Sequence, residues 1–202
     1  MADIPLRKDG RFTYGDYRRW PEEERWELLD GGAFAMSPAP GWNHQELTGE
    51  VFAVFKEWLK GKPCKAFVSP VDVFLPEPGQ SPDDVDMVDT VVQPDAGIVC
   101  DPAKIISRGV WGAPDLALEV LSPGTVLRDI NQKRVLYEAA GVREYWLIDN
   151  RAEYGIIFYR EGQGGFGQGT NYKEDEVLRS RIFAGLSVSL GELRKLVTAG
   201  SP

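Results

Sequence analysis

The chain has 202 residues, 43% of them hydrophobic and six of them tryptophan, enough to bury a core in one domain or two small ones. Lys and Arg number 23 against 31 Asp and Glu, a net charge of −8, which argues against broad coating of nucleic acid by phosphate neutralisation while allowing a local basic rim. No apolar run approaches the ~18–20 residues of a bilayer span, and the opening MADIPLRKDGRF lacks the apolar segment of a secretory signal, so a soluble cytoplasmic protein with no membrane partner is expected.

Residues 13–26, TYGDYRRWPEEERW, read as a short helix and a turn around Pro21. WELLDGGAFAMSPAP follows as a hairpin turning at Asp30-Gly31-Gly32. Residues 41–61 form a helix closed by Gly61, 64–78 a strand, 79–89 a solvated acidic loop, and 90–101 another strand. PDLALEVLSP, 114–123, is a strand with apolar residues at nearly every step. SPGTVLRDINQKRVLYEAAGV is a helix with Thr125 as N-cap and Gly141 as C-cap. REYWLIDN and EYGIIFYRE are strands, GQGGFGQGT is a Gly-rich turn with no helix after it, and the tail holds a short strand pair and a last helix. The order of elements predicts one mixed α/β domain.

Cys64 and Cys100 could form one bridge. Each lies in a strand-like apolar run, so buried free thiols are expected. A single histidine and no close Cys pair argue against structural zinc. A catalytic metal would need oxygen ligands, which points to Mg²⁺ or Mn²⁺.

The chemistry is sought in carboxylates placed where a strand should be apolar. Alternation puts Asp115, Ala117, Glu119 and Leu121 on one face of their strand. A buried, unpaired charge costs several kcal/mol or more, so Glu119 needs a cation, a metal or a raised pKa. In the preceding strand Asp95, Gly97 and Val99 share a face, and Pro94 marks its start. Gly97 and Ala117 are small neighbours that leave room for a metal or substrate. If the two strands are neighbours, Asp95 and Glu119 converge on one cation, since adjacent carboxylates otherwise repel. On the following helix Asp129 and Lys133 fall within the arc of Val126, Ile130, Leu136, Tyr137 and Ala140, so Lys133 can reach the carboxylates. His44 and Thr48 fall on the inward arc of the first long helix, where His44 is either a core residue or a phosphate-binding or acid–base group. Glu27 could approach from the hairpin.

QPDAGIVCD, then GAPDLALEVLSPGTVLRDINQKRVLYEAAGVREYWLIDN, with WELLDGGAFAMSPAPGWNHQEL and SRIFAGLSVSLGEL outside them, resemble a bacterial family of candidate restriction endonucleases, once catalogued as a domain of unknown function. That family lies within the PD-(D/E)XK nuclease superfamily, and the resemblance covers residues 13–196. It implies a restriction-endonuclease-like core, a central mixed β-sheet flanked by helices, with extra N- and C-terminal strands. Asp95 matches the Asp of the PD motif and Glu119 the acidic residue of (D/E)XK. The lysine position of that motif is Leu121, and the resemblance makes Lys133, on the next helix, its replacement. The implied activity is Mg²⁺- or Mn²⁺-dependent cleavage of DNA. Asp95, Glu119 and the Val120 carbonyl would hold the metal, Lys133 would be the third catalytic residue, and Asp115, Asp129, His44 and Glu27 would surround them. The readings kept beside it are a catalytically inactive nuclease-fold module that binds nucleic acid or a protein partner, and a hydrolase of another phosphate compound. The sequence does not give the oligomeric state; a homodimer is one assembly it allows, two-fold dimers being common among soluble proteins and among nucleases of this kind.

Overall fold

Local chemistry sets the first turns. In the computed structural model, which describes residues 10–199 apart from 22, 37, 38 and 163, α1 (Tyr14–Tyr17) begins in a capping box between Thr13 and Asp16. Asp30 and Gly31 both have positive φ, the geometry of a two-residue hairpin turn, and join β1 (Trp26–Leu29) to β2 (Gly32–Ala35). Next, α2 (Trp42–Trp58) buries Leu47, Thr48, Val51 and Phe55, the arc expected from its 3.6-residue period.

Two of the expected strands are each a pair of short ones. Residues 64–78 divide into β3 (Lys65–Val68) and β4 (Val73–Phe74), parted at the cis Ser69–Pro70 peptide. Residues 90–101 divide into β5 (Val91–Val92) and β6 (Ala96–Val99), parted around Pro94, which has no N–H to give a ladder. The halves belong to different sheets, so each break carries the chain from one sheet to the other. Ser69 N donates to Asp95 O at 2.9 Å, which ties the two crossing points together. The acidic segment is less solvated than expected: Pro82–Met87 winds into a 3₁₀ turn and buries Val85, with Val88 buried beside it. The connection after β6 holds β7 (Ile105–Ile106) and β8 (Gly109–Trp111).

β9 (Leu116–Leu121) is followed by a π-helical segment, Arg128–Lys133, that runs into α3 (Arg134–Ala140). Gly141 closes α3 in the left-handed region, φ 96°, where a glycine pays no Cβ penalty. Thr125 stands at the expected N-cap position, directly before the first helical residue, and its carbonyl accepts from Arg128 N and Asp129 N at 2.8 and 3.0 Å. Its hydroxyl lies 3.0 Å from Ser122 Oγ, and the helical turn before the π segment already bonds back to the Ser122 carbonyl. The remaining elements are β10 (Glu144–Asp149), β11 (Tyr154–Tyr159), β12 (Thr170–Lys173), the hairpin β13 (Val177–Arg179) and β14 (Ser187–Ser189), and α4 (Leu190–Ala199).

The architecture is mixed α/β, with two six-stranded sheets ordered β2-β1-β5-β4-β8-β7 and β12-β11-β10-β9-β6-β3. In the second sheet β9 and β10 run parallel while β6 and β9 run antiparallel. Both central strands are almost wholly buried, as expected of strands covered on two faces. Leu116, Leu118 and Val120 pack with Leu47, Val51 and Phe55 of α2 and Leu193 and Val197 of α4. Ala117 and Leu121 pack the other way, with Tyr137 of α3 and with Val73, Val92 and Val110 of the first sheet. The alternation read from the sequence therefore sends Glu119 to the α3 side. Ala140, placed on the inward arc of that helix, is exposed, because the π segment offsets the turns that follow it.

The cysteines are bonded to each other, not free. The antiparallel register of β3 and β6 pairs Lys65 with Val99, and one step further it brings Cys64 opposite Cys100. The room expected beside the carboxylates is also filled. A Cβ on Gly97 would come within 2.5 Å of the Phe67 ring and 2.7 Å of the Leu116 carbonyl, and Ala117 is buried in the core. Both small residues serve packing.

Candidate active site

The β6–β9 register pairs Ala96 with Leu118 and Gly97 with Ala117; continued by one residue, it sets Asp95 opposite Glu119. Asp95 lies beyond the end of β6, and its side chain takes over the ladder's role: Oδ2 accepts from Val120 N at 2.7 Å. The same oxygen is 3.2 Å from His44 Nε2. Burial pulls the His44 pKa down, but Asp95, Asp129 and the Val120 backbone outweigh it and the net direction is up. His44 Nδ1 and Thr48 Oγ1, four residues apart on α2, are both buried without a hydrogen-bond partner among the described residues.

Glu119 is 4% exposed. Its Oε1 accepts from Lys133 Nζ at 2.8 Å and from the Tyr137 hydroxyl at 3.0 Å. Lys133, 3% exposed, is also 2.8 Å from Glu27 Oε1 and 3.7 Å from Asp129 Oδ1. Glu27 Oε1 in turn accepts from Gln93 N at 2.8 Å. One ammonium thus faces three buried carboxylates, with Asp95 as a fourth acid nearby. Burial pushes the Glu119 pKa well up, with Asp129, Asp95 and Glu27 adding to it against the pull of Lys133. Burial lowers the Lys133 pKa, but Glu119, Glu27 and Asp129 more than reverse that, so it stays protonated. Asp129 is raised by burial, opposed by Lys133 and Thr125. The Tyr137 pKa is raised by burial and by Glu119, so Tyr137 remains a phenol and a donor.

A cleft of about 540 Å³ opens on this cluster. Asp95, Glu119, Val120, Lys133, Asp129, Glu27 and His44 all contribute to its wall. Asp115 does not. It stands at the start of β9, where Oδ2 accepts from Cys100 N and Oδ1 pairs with Arg143, at 2.8 and 2.9 Å. That acid fastens the far end of the strand, about four strand steps from Glu119.

Sequence reasoning missed the polar layer behind the cluster. Arg25 reaches Gln93 Oε1 and Ser69 Oγ at 2.6 and 2.9 Å. Gln93 Nε2 donates to Asp72, which also accepts from the Tyr14 hydroxyl. Gln93 directly precedes the Pro94-Asp95 pair, the one signal that could have drawn notice to it. Tyr137 belongs to the apolar arc by its period, and only its position four residues after Lys133 hints that its hydroxyl shares the same target.

Among the described residues, no group of three or more His, Cys, Asp or Glu side chains is arranged to hold a metal ion. The donors that the β6–β9 register sets side by side are carboxylate oxygens, those of Asp95 and Glu119. That set suits a hard cation such as Mg²⁺, which commonly takes one or two carboxylates and leaves its other positions to water and phosphate. The surplus of acid over base around Lys133 fits it too.

A mixed sheet carrying facing carboxylates, with a buried lysine supplied by the following helix, defines an α/β protein with a buried acidic cluster opening on a cleft. The chain belongs to the Uma2 family, described as "Putative restriction endonuclease", whose family model matches residues 14–191. It is 27% identical over 194 residues to the uncharacterized protein slr1290 of Synechocystis sp., an alignment covering 94% of this chain and 95% of that one. Its fold is similar to a crystal structure described as a putative nuclease belonging to DUF820 from Anabaena variabilis. The TM-score is 0.70 at 19% identity, over 91% of this chain and 98% of that one. No helix of the described residues is long and apolar enough to cross a membrane.

Proposed function

We propose that the protein is a Mg²⁺- or Mn²⁺-dependent DNA endonuclease whose site is built from Asp95, Glu119 and Lys133. The observation that carries the reading is the β6–β9 register, which sets Asp95 opposite Glu119 with Lys133 Nζ 2.8 Å from the glutamate in one cleft. Asp95, Glu119 and the Val120 carbonyl would hold the cation. When bound, it would supply charge compensation for the phosphorane and make a water easier to deprotonate. Lys133, held protonated by three acids, orients Glu119 and opposes negative charge developing on the phosphate; it does not take a proton. Tyr137 and Glu27 fix the two residues between them by hydrogen bond and ion pair. His44 pairs with Asp95 at 3.2 Å and would hold that carboxylate in place.

The test is nicking of supercoiled DNA with Mg²⁺ or Mn²⁺ by the wild type and by Asp95→Ala and Glu119→Ala. Metal-dependent cleavage lost in both variants supports the reading; cleavage unchanged in either sinks it. The binding-module reading draws on Leu121, a packed core residue where the superfamily motif has lysine. An Mn²⁺ titration of the melting temperature separates the two, since a site that binds the ion only when folded raises it and a module without a metal site gives no shift.

A further inference from the structure

Of the six tryptophans, Trp42 is the exposed one, 71% accessible, while the other five are buried or half-buried. A lone exposed apolar side chain is ordinary on a protein surface. What sets this one apart is its place. It stands in the first turn of α2 on the wall of the acidic cleft, two residues before His44, whose imidazole touches Asp95. The amides of Asn43, Gln45 and Asn150 line the same wall and offer donors and acceptors of the kind that read base edges.

The cations of the cleft are few. Lys133 is engaged by Glu27, Glu119 and Asp129, Arg25 is bonded to Gln93 and Ser69, and Arg128 lies over the Phe34 ring at 4.6 Å. With a net charge of −8, the chain is poorly equipped for the many phosphate contacts that hold a duplex. Stacking on an aromatic ring is a source of affinity that needs no cation, and it works on any base whose face is free. Bases inside a duplex are covered on both faces by their neighbours; an unpaired or extruded base is not.

We propose that Trp42 is a stacking platform for an unpaired nucleobase, so that the cleft takes single-stranded or locally melted nucleic acid in preference to an intact duplex. This deepens the nuclease reading and rests on it. Fluorescence anisotropy with labelled oligothymidylate and with a labelled hairpin duplex, in EDTA so that nothing is cut, measures it for the wild type, Trp42→Ala and Trp42→Phe. The single strand should bind the wild type more tightly than the duplex. Trp42→Ala should weaken single-strand binding by about 5- to 150-fold with little effect on the duplex, and Trp42→Phe should restore most of it. Single-strand affinity should fall only shallowly with salt, as few phosphates are neutralised. No binding of oligothymidylate, an unchanged affinity in Trp42→Ala, or an equal loss for both ligands overturns the proposal. Selective binding through Trp42 without metal-dependent cleavage by the wild type would leave the platform standing and remove the nuclease reading. Cleavage with no selective loss in Trp42→Ala would do the reverse.

Discussion

Replacing Lys133 by methionine keeps most of the stem and removes the charge. Nζ lies 2.8 Å from Glu27 Oε1 and from Glu119 Oε1 and 3.7 Å from Asp129 Oδ1, and all four side chains are almost fully buried. At an effective dielectric of about 20, each short pair attracts by roughly 4–6 kcal/mol. Desolvation of the ions offsets most of that, and removal of one partner from a buried set leaves a net loss of about 3–5 kcal/mol. For a chain of this size that is a fall in melting temperature of about 6–20 °C. The sign with pH follows from the acids left behind. Their folded pKa values, already raised at Glu119 and Asp129, rise further without the ammonium, so the folded variant binds protons that the unfolded chain releases. Its deficit therefore grows as pH rises above the carboxylate range, by about 1.4 kcal/mol per unit for each such proton, and shrinks as pH falls. Lys133 contributes no pH dependence in this window, because it is charged in both folded and unfolded wild-type chains. Urea denaturation of the wild type and Lys133→Met in EDTA at pH 5 and pH 8 measures both effects. A variant within about 0.5 kcal/mol of the wild type at pH 8, or one more impaired at pH 5 than at pH 8, would refute the charge argument.

Tyr137→Phe should destabilise by about 1.5–3 kcal/mol, the range for a hydrogen bond to a charged acceptor, and lower cleavage by loosening Glu119; an unchanged urea midpoint would show that the hydroxyl is dispensable. Gly97→Ala should cost about 1–3 kcal/mol, because the added methyl meets the Leu116 carbonyl, a backbone atom, at 2.7 Å; full stability would mean that β6 and β9 can part there without penalty. Cys64 and Cys100 are 36 residues apart in sequence, so reduction should lower stability by about 3–4 kcal/mol on the loop-closure account. Denaturation with and without reductant would show it, and a change below about 1 kcal/mol would contradict that account.

The legible parts of the fold were those governed by a local rule. Asp30 and Gly31 announce a hairpin through their tolerance of positive φ, Gly141 closes a helix, and alternation in LALEVL assigns each side chain to its face. The strand breaks were harder, because apolar content continues through Ser69-Pro70 and Gln93-Pro94 although the chain changes sheets there. The disulfide was illegible for a related reason. Two cysteines in apolar runs look alike whether or not their strands are neighbours, and only the register of β3 on β6 makes them partners.

The site was legible where burial conflicts with charge, but that conflict does not by itself mark function. Glu144 is wholly buried in β10 and has a raised pKa from burial, yet Ser180 Oγ and Arg181 N satisfy it at 2.5 and 2.8 Å and it is not on the wall of the acidic cleft. Asp115 is likewise a strand acid with a structural partner. What separates Glu119 from both is that its one cationic partner is shared: Lys133 alone serves Glu27, Glu119 and Asp129. The place of the lysine follows from the same packing. Leu121 packs in the cluster of Tyr137, Tyr145 and Val142 and offers no charge to a carboxylate. Position 133, carried on the inner side of a π-helical segment of the sort often found at functional sites, meets three.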